Sequence, residues 1–112
     1  MKSINEEIKV VHLKSNGQRV ETWIAMLNGE IVGHIYMDRE PNQKIKFMDA
    51  WVHEDYRRQG IFRRLWDTRW EYCEKKYSGW IIYAWCKESS LPLLLEKGFK
   101  QGEICTYVEK KI

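Results

Sequence analysis

The sequence has few cysteines, and their arrangement argues against two classes of small protein. Its three cysteines, Cys73, Cys86 and Cys105, are far apart, odd in number and without CxxC spacing. Small secreted domains that depend on disulfides carry a dense and even set, and structural zinc sites need clustered ligands. We therefore expect neither a disulfide framework nor a bound metal, and a reducing cytoplasm is the expected location.

Long apolar runs are missing as well. No stretch approaches the roughly 20 apolar residues that a membrane-spanning helix needs. The first seven residues, MKSINEE, contain no apolar signal region. These absences predict a soluble protein without a membrane partner.

A strong net charge is the third missing feature. The net charge is only +3, which does not by itself indicate a nucleic-acid partner. Five of the seven arginines nevertheless fall within residues 57–69, and we expect them to form one positive surface that attracts an anion. The strands lack the basic and aromatic interleaving of known RNA- or DNA-binding motifs, which argues against a nucleic acid as that anion. The five are Arg57, Arg58, Arg63, Arg64 and Arg69.

The length of 112 residues suits one domain that spans residues 1–112. Its first half contains four strand-like segments separated by Asn-Gly or Pro-Asn pairs, which are strong turn signals. Adjacent strands joined by short turns form an antiparallel meander. The four segments are residues 8–13, 20–27, 31–37 and 44–52.

The second half begins with a helical pattern that ends at Ser78-Gly79. A continuous apolar run, 80–85, predicts a strand buried on both faces. Ser89 or Ser90 is expected to cap a short helix that stops at Gly98, and residues 104–108 form a last strand. The predicted class is α+β, with a mixed, mostly antiparallel twisted sheet of about six strands and two helices. The helical pattern comprises Phe62, Trp66, Trp70, Cys73 and Tyr77.

The segment 52–62, VHEDYRRQGIF, runs from a strand through a turn into this first helix. The first N–H groups of a helix lack partners within the helix, and the helix dipole adds partial positive charge at that end. Gly60 lets a ligand approach the backbone closely. The segment therefore predicts a site for a pyrophosphate group.

These residues resemble the signature loop of the GNAT superfamily of acyl-CoA-dependent N-acyltransferases. A second resemblance is the turn Lys97-Gly98-Phe99, which precedes a final strand in that family. The order of elements also agrees from Val20 to the end of the sequence. The family's usual first two helices have no counterpart, so we expect a minimal, single-domain version.

The resemblance implies that acetyl-CoA binds along this segment. The backbone of residues 58–63 would hold the pyrophosphate, and the end of the fourth strand would splay from its neighbour and pair with the pantetheine amides. The thioester would lie between that strand and the strand 80–85. The implied contact residues are Ala50, Trp51, Val52, Arg57, Arg58, Gln59, Gly60, Ile61, Phe62 and Arg63.

Two positions depart from the family pattern. Phe62 stands where the family has glycine or alanine, and its ring could crowd the phosphate or turn into the core beside Trp66. Leu94 stands where many members place a tyrosine that protonates the departing thiolate. That acid is therefore absent or supplied by another group.

Several residues are candidates for the proton transfers that amine acetylation needs. Asp49 precedes Val52 by three residues and is the first candidate for the base, with a surface ladder residue as the alternative. Tyr83 and Tyr107 could serve as the acid, or each could be a core aromatic. Cys86 could face the thioester, or it could be a buried and inert thiol.

Two functions stay open at this point. The first is an N-acetyltransferase that moves an acetyl group from acetyl-CoA to a primary amine, either a small cationic amine or a protein lysine, by direct attack on the thioester. The second is a catalytically degenerate module of the same fold that binds CoA or a partner protein. A free edge strand could also pair with a second copy, so a homodimer is one expected assembly.

Overall fold

Seven strands form one mixed sheet in the computed structural model, which describes residues 7–14, 17–85, 91–101 and 107–112. Their spatial order is β1-β2-β3-β4-β5-β7-β6, and every neighbouring pair is antiparallel except β4 and β5. The strands are β1 Lys9–Leu13, β2 Val20–Leu27, β3 Glu30–Glu40, β4 Lys44–Val52, β5 Ile81–Trp85, β6 Lys100–Gln101 and β7 Tyr107–Lys111.

In the described ranges two helices accompany the sheet, α1 from Ile61–Lys76 and α2 from Leu91–Glu96, and a short 3-10 turn at Glu54–Tyr56 precedes α1. Within the residues that the structure describes, no helix is long and apolar enough to cross a bilayer. The mixed sheet with two helices confirms the predicted α+β class.

The last part of the chain differs in detail from the prediction. The final strand continues to Lys111, whereas residues 104–106 of the predicted strand lie outside the described residues. The expected caps Ser89 and Ser90 also lie outside them. The edge strand β6 was not predicted, because two residues are too short to show an alternating pattern.

One face of the sheet carries the core, and both helices pack on it. In β2 the buried positions alternate, as a half-buried strand requires. Trp66 and Trp70 of α1 lie against Phe47 of β4, with ring centroids 5.8 and 6.4 Å apart. Phe99, which follows α2, lies 5.7 Å from Trp70, so the same aromatic cluster joins both helices to the sheet. Each such side chain stabilises the fold by about 1.5–3 kcal/mol.

A buried carboxylate ties the first three strands to the end of α1. Glu21 is 0% exposed, and its oxygens lie 2.8 Å from His12 Nε2 and 2.9 Å from Arg39 Nε. The hydroxyl of Tyr77 donates to the same carboxylate at 3.2 Å. Because buried charges need such partners, this cluster is explained by the packing of β1 to β3 and lies apart from the loop after β4.

Gly33 of β3 determines how closely α1 approaches the sheet. A Cβ atom at this position would lie 3.0 Å from the carbonyl oxygen of Trp51 and 3.2 Å from side-chain atoms of Ile61 and Leu65. The missing side chain therefore lets the start of α1 pack directly against β3, beside the end of β4.

The substitution Gly33→Ala is expected to destabilise the fold by about 1–3 kcal/mol, because the added methyl group overpacks this contact. A lower urea midpoint with an unchanged m-value would show it. An unchanged midpoint would mean that α1 is not held this close to β3.

Candidate functional site

The sheet opens between β4 and β5. These strands pair only from Lys44↔Ile81 to Lys46↔Tyr83. Strand β5 remains paired with β7 as far as Trp85, so the gap opens between β5 and β4. From Phe47 onward, the edge of β4 that faces β5 has no strand partner among the described residues. This gap matches the splay that the resemblance implied.

The backbone at the end of β4 directs polar groups into the gap. The N–H of His53 donates to the carbonyl of Val32 at 2.8 Å, which makes Val52 and Gly33 a non-hydrogen-bonded pair of the antiparallel ladder. The N–H and C=O groups of Val52 therefore point away from β3, and by alternation those of Ala50 do too. The carbonyl of Val52 accepts from Arg57 Nε at 3.0 Å. The N–H of Val52 and the backbone of Ala50 thus face the gap.

A rigid turn connects this edge to α1. The backbone N–H of Asp55 donates to His53 Nδ1 at 3.1 Å, and that of Tyr56 donates to the carbonyl of His53 at 2.9 Å. Arg58 and Gly60 have φ angles of 62° and 86°, both in the left-handed region. A non-glycine residue in this region carries a cost of about 1–2 kcal/mol. Such strain is concentrated at functional sites, which motivates a functional hypothesis for this loop.

The first turn of α1 can bind an anion. Gly60 is the N-cap and offers no side chain, and Arg64 N to Gly60 O, at 3.0 Å, is the first helical hydrogen bond. The N–H groups of Ile61, Phe62 and Arg63 therefore have no partner within the helix. The turn has no acidic residue, and among the described residues, apart from Gly60 and its two chain neighbours, no heavy atom lies within 4 Å of a Cβ built on Gly60. The N-terminus of α1 therefore combines positive electrostatic potential with space for a ligand.

The predicted surface of five arginines was wrong for one member. Arg69 is 2% exposed and lies beneath the sheet, where Nη1 donates to the carbonyls of Tyr36 at 2.7 Å and Met48 at 3.4 Å. Its guanidinium also stacks 3.6 Å from the centroid of the Phe47 ring. Residue 69 lies on the same helical face as Trp66 and Trp70. This spacing in the sequence could have predicted that Arg69 is buried. Burial lowers the pKa of Arg69 to about 9, so it stays cationic at neutral pH.

The other four arginines remain at the surface. The exposed residues are Arg57, Arg58, Arg63 and Arg64. Arg57 is held by its bond to the carbonyl of Val52, and Arg63 lies 3.6 Å from Glu96. Their side chains can add positive charge around the helix end, although the backbone supplies the directed donors.

Asp49 occupies a β-bulge at the start of the gap. The register runs from Ile35↔Ala50 to Tyr36↔Met48, which leaves Asp49 as the extra residue of β4. The residue is exposed, and within the described part of the chain no side-chain hydrogen bond or ion pair involves it. Asp49 thus lies on the part of β4 that borders the gap, with an exposed side chain.

Tyr83 lies at the last paired position before the strands separate. Its hydroxyl donates to Glu40 at 2.6 Å. Glu40 pairs with Lys44, at the end of β3 opposite to the one that contacts the loop. The ring therefore borders the gap, whereas the hydroxyl is directed to a carboxylate outside it.

The two departures from the family pattern both pack inward. Phe62 is half-buried against the core, which is the second of the two orientations considered above. Leu94 is 4% exposed and part of the core, so it supplies no acid at that position. Cys86 and the side chain of Tyr107 lie outside the described residues.

Comparisons with known proteins agree with this geometry. Residues 4–99 match the model of the family described as acetyltransferase (GNAT) family. No curated protein matches the sequence. A GNAT family acetyltransferase from Elizabethkingia anophelis, solved with acetyl-CoA bound, is 15% identical, with a TM-score of 0.73 over 94% of this chain and 98% of that one.

Two further solved structures have the same fold. A GNAT family acetyltransferase from Staphylococcus aureus Mu50 is 20% identical, with a TM-score of 0.66 over 83% of this chain and 68% of that one. The PaiA N-acetyltransferase from Thermoplasma acidophilum, in complex with coenzyme A, is 16% identical, with a TM-score of 0.65 over 84% and 62% of the two chains. At these identities the likeness concerns the fold alone.

Proposed function

The chain belongs to the GNAT family of acetyltransferases, and from that membership we propose that it transfers an acetyl group from acetyl-CoA to a primary amine. The proposal rests on one observation: two polar backbone features follow one another along the chain. The open edge of β4 leads directly into the uncapped N-terminus of α1. These features match the amides and the pyrophosphate of coenzyme A, in that order along the ligand.

The pyrophosphate is proposed to lie on the first turn of α1. Its donors are the N–H groups of Ile61, Phe62 and Arg63, with the backbone of Arg58 and Gln59 completing the loop. Gly60 supports this because none of the described residues outside its own loop occupies the space in front of it. The exposed side chains of Arg57, Arg58 and Arg63 add favourable charge, which salt would screen.

The pantetheine arm is proposed to pair with residues 50–52. Ala50 and Val52 present backbone groups to the gap, whereas the backbone of Trp51 faces β3 and its side chain is exposed. An extended ligand can add to such an edge as another strand would. The N–H of Ala50, which lies further from the pyrophosphate than that of Val52, is then the proposed donor to the thioester oxygen as negative charge develops on it.

The proposed reaction is direct attack on the thioester. Asp49 accepts the proton that the amine must lose, the nitrogen bonds to the acetyl carbon, and the carbon–sulfur bond breaks. The departing thiolate then takes a proton, for which Tyr83 is the proposed donor after its hydroxyl leaves Glu40 and turns into the gap. The placement of Asp49 beside the open edge supports its role, and a small cationic amine or a protein lysine would suit its negative charge.

The variant Tyr83→Phe is expected to lower kcat about 100-fold at saturating substrates, because the thiolate loses its proton donor. The dissociation constant of acetyl-CoA should stay within about twofold, since the ring remains. A matched Glu40→Gln variant keeps the phenol and weakens only its hydrogen bond with Glu40. An unchanged kcat in Tyr83→Phe would exclude the phenol as the acid.

A second candidate function is favoured by two observations. Leu94 is buried in the core, and the hydroxyl of Tyr83 is engaged with Glu40. Both are compatible with a protein that keeps the cofactor site and has lost turnover. Such a module would bind CoA or acetyl-CoA with similar affinity and release no thiol.

Thiol release from acetyl-CoA by the purified protein, followed across a panel of amines, separates the two functions. The panel needs a polyamine, free amino acids and a lysine-containing peptide. The enzyme predicts amine-dependent thiol release and an acetamide product detected by mass. Calorimetric binding of acetyl-CoA without release on any amine would support the non-catalytic module instead.

A further inference from the structure

We propose that Arg69 is a positioning residue for this reaction, because it holds the bulge that sets Asp49 and the open edge of β4. The proposal rests on the proposed function. Arg69 itself is buried under the sheet and has no access to substrate.

The contacts of Arg69 lie on both strands at the bulge. One nitrogen, Nη1, donates to the carbonyl of Tyr36 on β3 and to that of Met48 on β4. These two residues are the last regular pair before the extra residue Asp49. A bulge disrupts the ladder locally, and a charged donor from α1 bridges the two strands at that point.

The bulge decides which backbone groups face the gap. The side of a strand to which an N–H points alternates with each residue, so one extra residue reverses the assignment for everything that follows. With Asp49 inserted, the N–H groups of Ala50, the proposed oxyanion donor, and of Val52 face the gap. In a regular strand, the N–H of Trp51 would face it instead. Loss of the bulge would therefore move the proposed oxyanion donor and the proposed base together.

The surroundings of Arg69 suit an arginine better than a lysine. The planar guanidinium stacks on Phe47 at 3.6 Å and reaches carbonyls on two strands at once. The partners described for it are carbonyl oxygens and aromatic rings, and a buried cation with such partners has a high desolvation cost. Simple core packing would be served equally well by an apolar side chain at this site.

Three variants test the proposal. Arg69→Met keeps the length of the side chain and removes the donors, and Arg69→Lys restores the charge. Cys73→Ala is the matched control, because Cys73 is buried one helical turn later and contacts Met37 instead of the bulge. Each variant is measured for thermal unfolding, acetyl-CoA affinity and kcat.

The expected result is a fall in kcat of about 100-fold for Arg69→Met, which is the size of effect that a misplacement of about 1 Å produces. Acetyl-CoA affinity should fall less than tenfold, since the loop at Gly60 is intact, and Arg69→Lys should recover part of kcat. Cys73→Ala should lower thermal stability and retain kcat. Wild-type kcat in Arg69→Met, or an equal loss in Cys73→Ala, would overturn the proposal.

Two further measurements test the proposal if Arg69→Met does not fold or if the wild-type protein has no turnover. If Arg69→Met does not fold, Arg69→Lys must show a reduced kcat with native unfolding behaviour. If the wild-type protein has no turnover, the proposed function fails on its own, and the bulge is then tested by amide spectra. Arg69→Lys should shift the amide resonances of residues 48–52, and unchanged resonances there would contradict the positioning role.

Discussion

Replacing Gly60 by valine is expected to weaken acetyl-CoA binding about 100-fold, or roughly 2.7 kcal/mol. Gly60 has a φ of 86°, and the space in front of its Cα is open. A branched side chain there would occupy the volume in which we place the pyrophosphate. It would also strain the backbone that aims the first N–H groups of α1.

Gly79 provides the matched control for Gly60. It has a φ of 89°, also faces open space, and follows the other end of α1. Gly79→Val should therefore impose similar backbone strain and a similar loss of stability without affecting binding. Titration calorimetry with acetyl-CoA measures both variants. Equal affinities for the two variants would place the pyrophosphate elsewhere.

Asp49→Asn is expected to lower kcat about 10²–10⁴-fold, the range that a lost general base produces. The substitution is isosteric and leaves the bulge intact, so the KM for acetyl-CoA should change little. The effect should appear in both kcat and kcat/KM for the amine, because the interaction acts in the transition state.

Asp38→Asn is the control for the charge of Asp49. Asp38 lies on the neighbouring strand β3 and pairs with Arg19 at 3.1 Å. Its neutralisation should leave kcat within about twofold, as expected for an exposed ion pair. Asp49→Asn with wild-type kcat would show that Asp49 is a surface residue of the ladder.

Local sequence patterns were sufficient to predict most of the fold. The alternation in β2 and the helical spacing of Trp66 and Trp70 each depend on neighbours within one element. The loop at Gly60 was predictable for the same reason, since a left-handed glycine before a helix is a local feature. The gap beside β4 followed only from the resemblance to a family.

The features that were missed depend on contacts between distant segments. The bulge at Asp49 is a matter of register between β3 and β4, which neither strand specifies alone. Arg69 was predicted to belong to a surface cluster, because the dense charge of residues 57–69 was given more weight than the helical face on which Arg69 lies. The contacts of Glu21 with His12 and Arg39 likewise join strands that are separated along the chain.

The most direct test of the account is a titration of the ¹⁵N-labelled protein with acetyl-CoA, followed through its amide resonances. Saturable shifts are expected, concentrated at residues 50–52 and 58–63, along the edge of β4 and the first turn of α1. Shifts confined to another surface, such as the lysines Lys100, Lys110 and Lys111 at the β6–β7 end of the sheet, would contradict it. The absence of any shift at millimolar acetyl-CoA would contradict it as well.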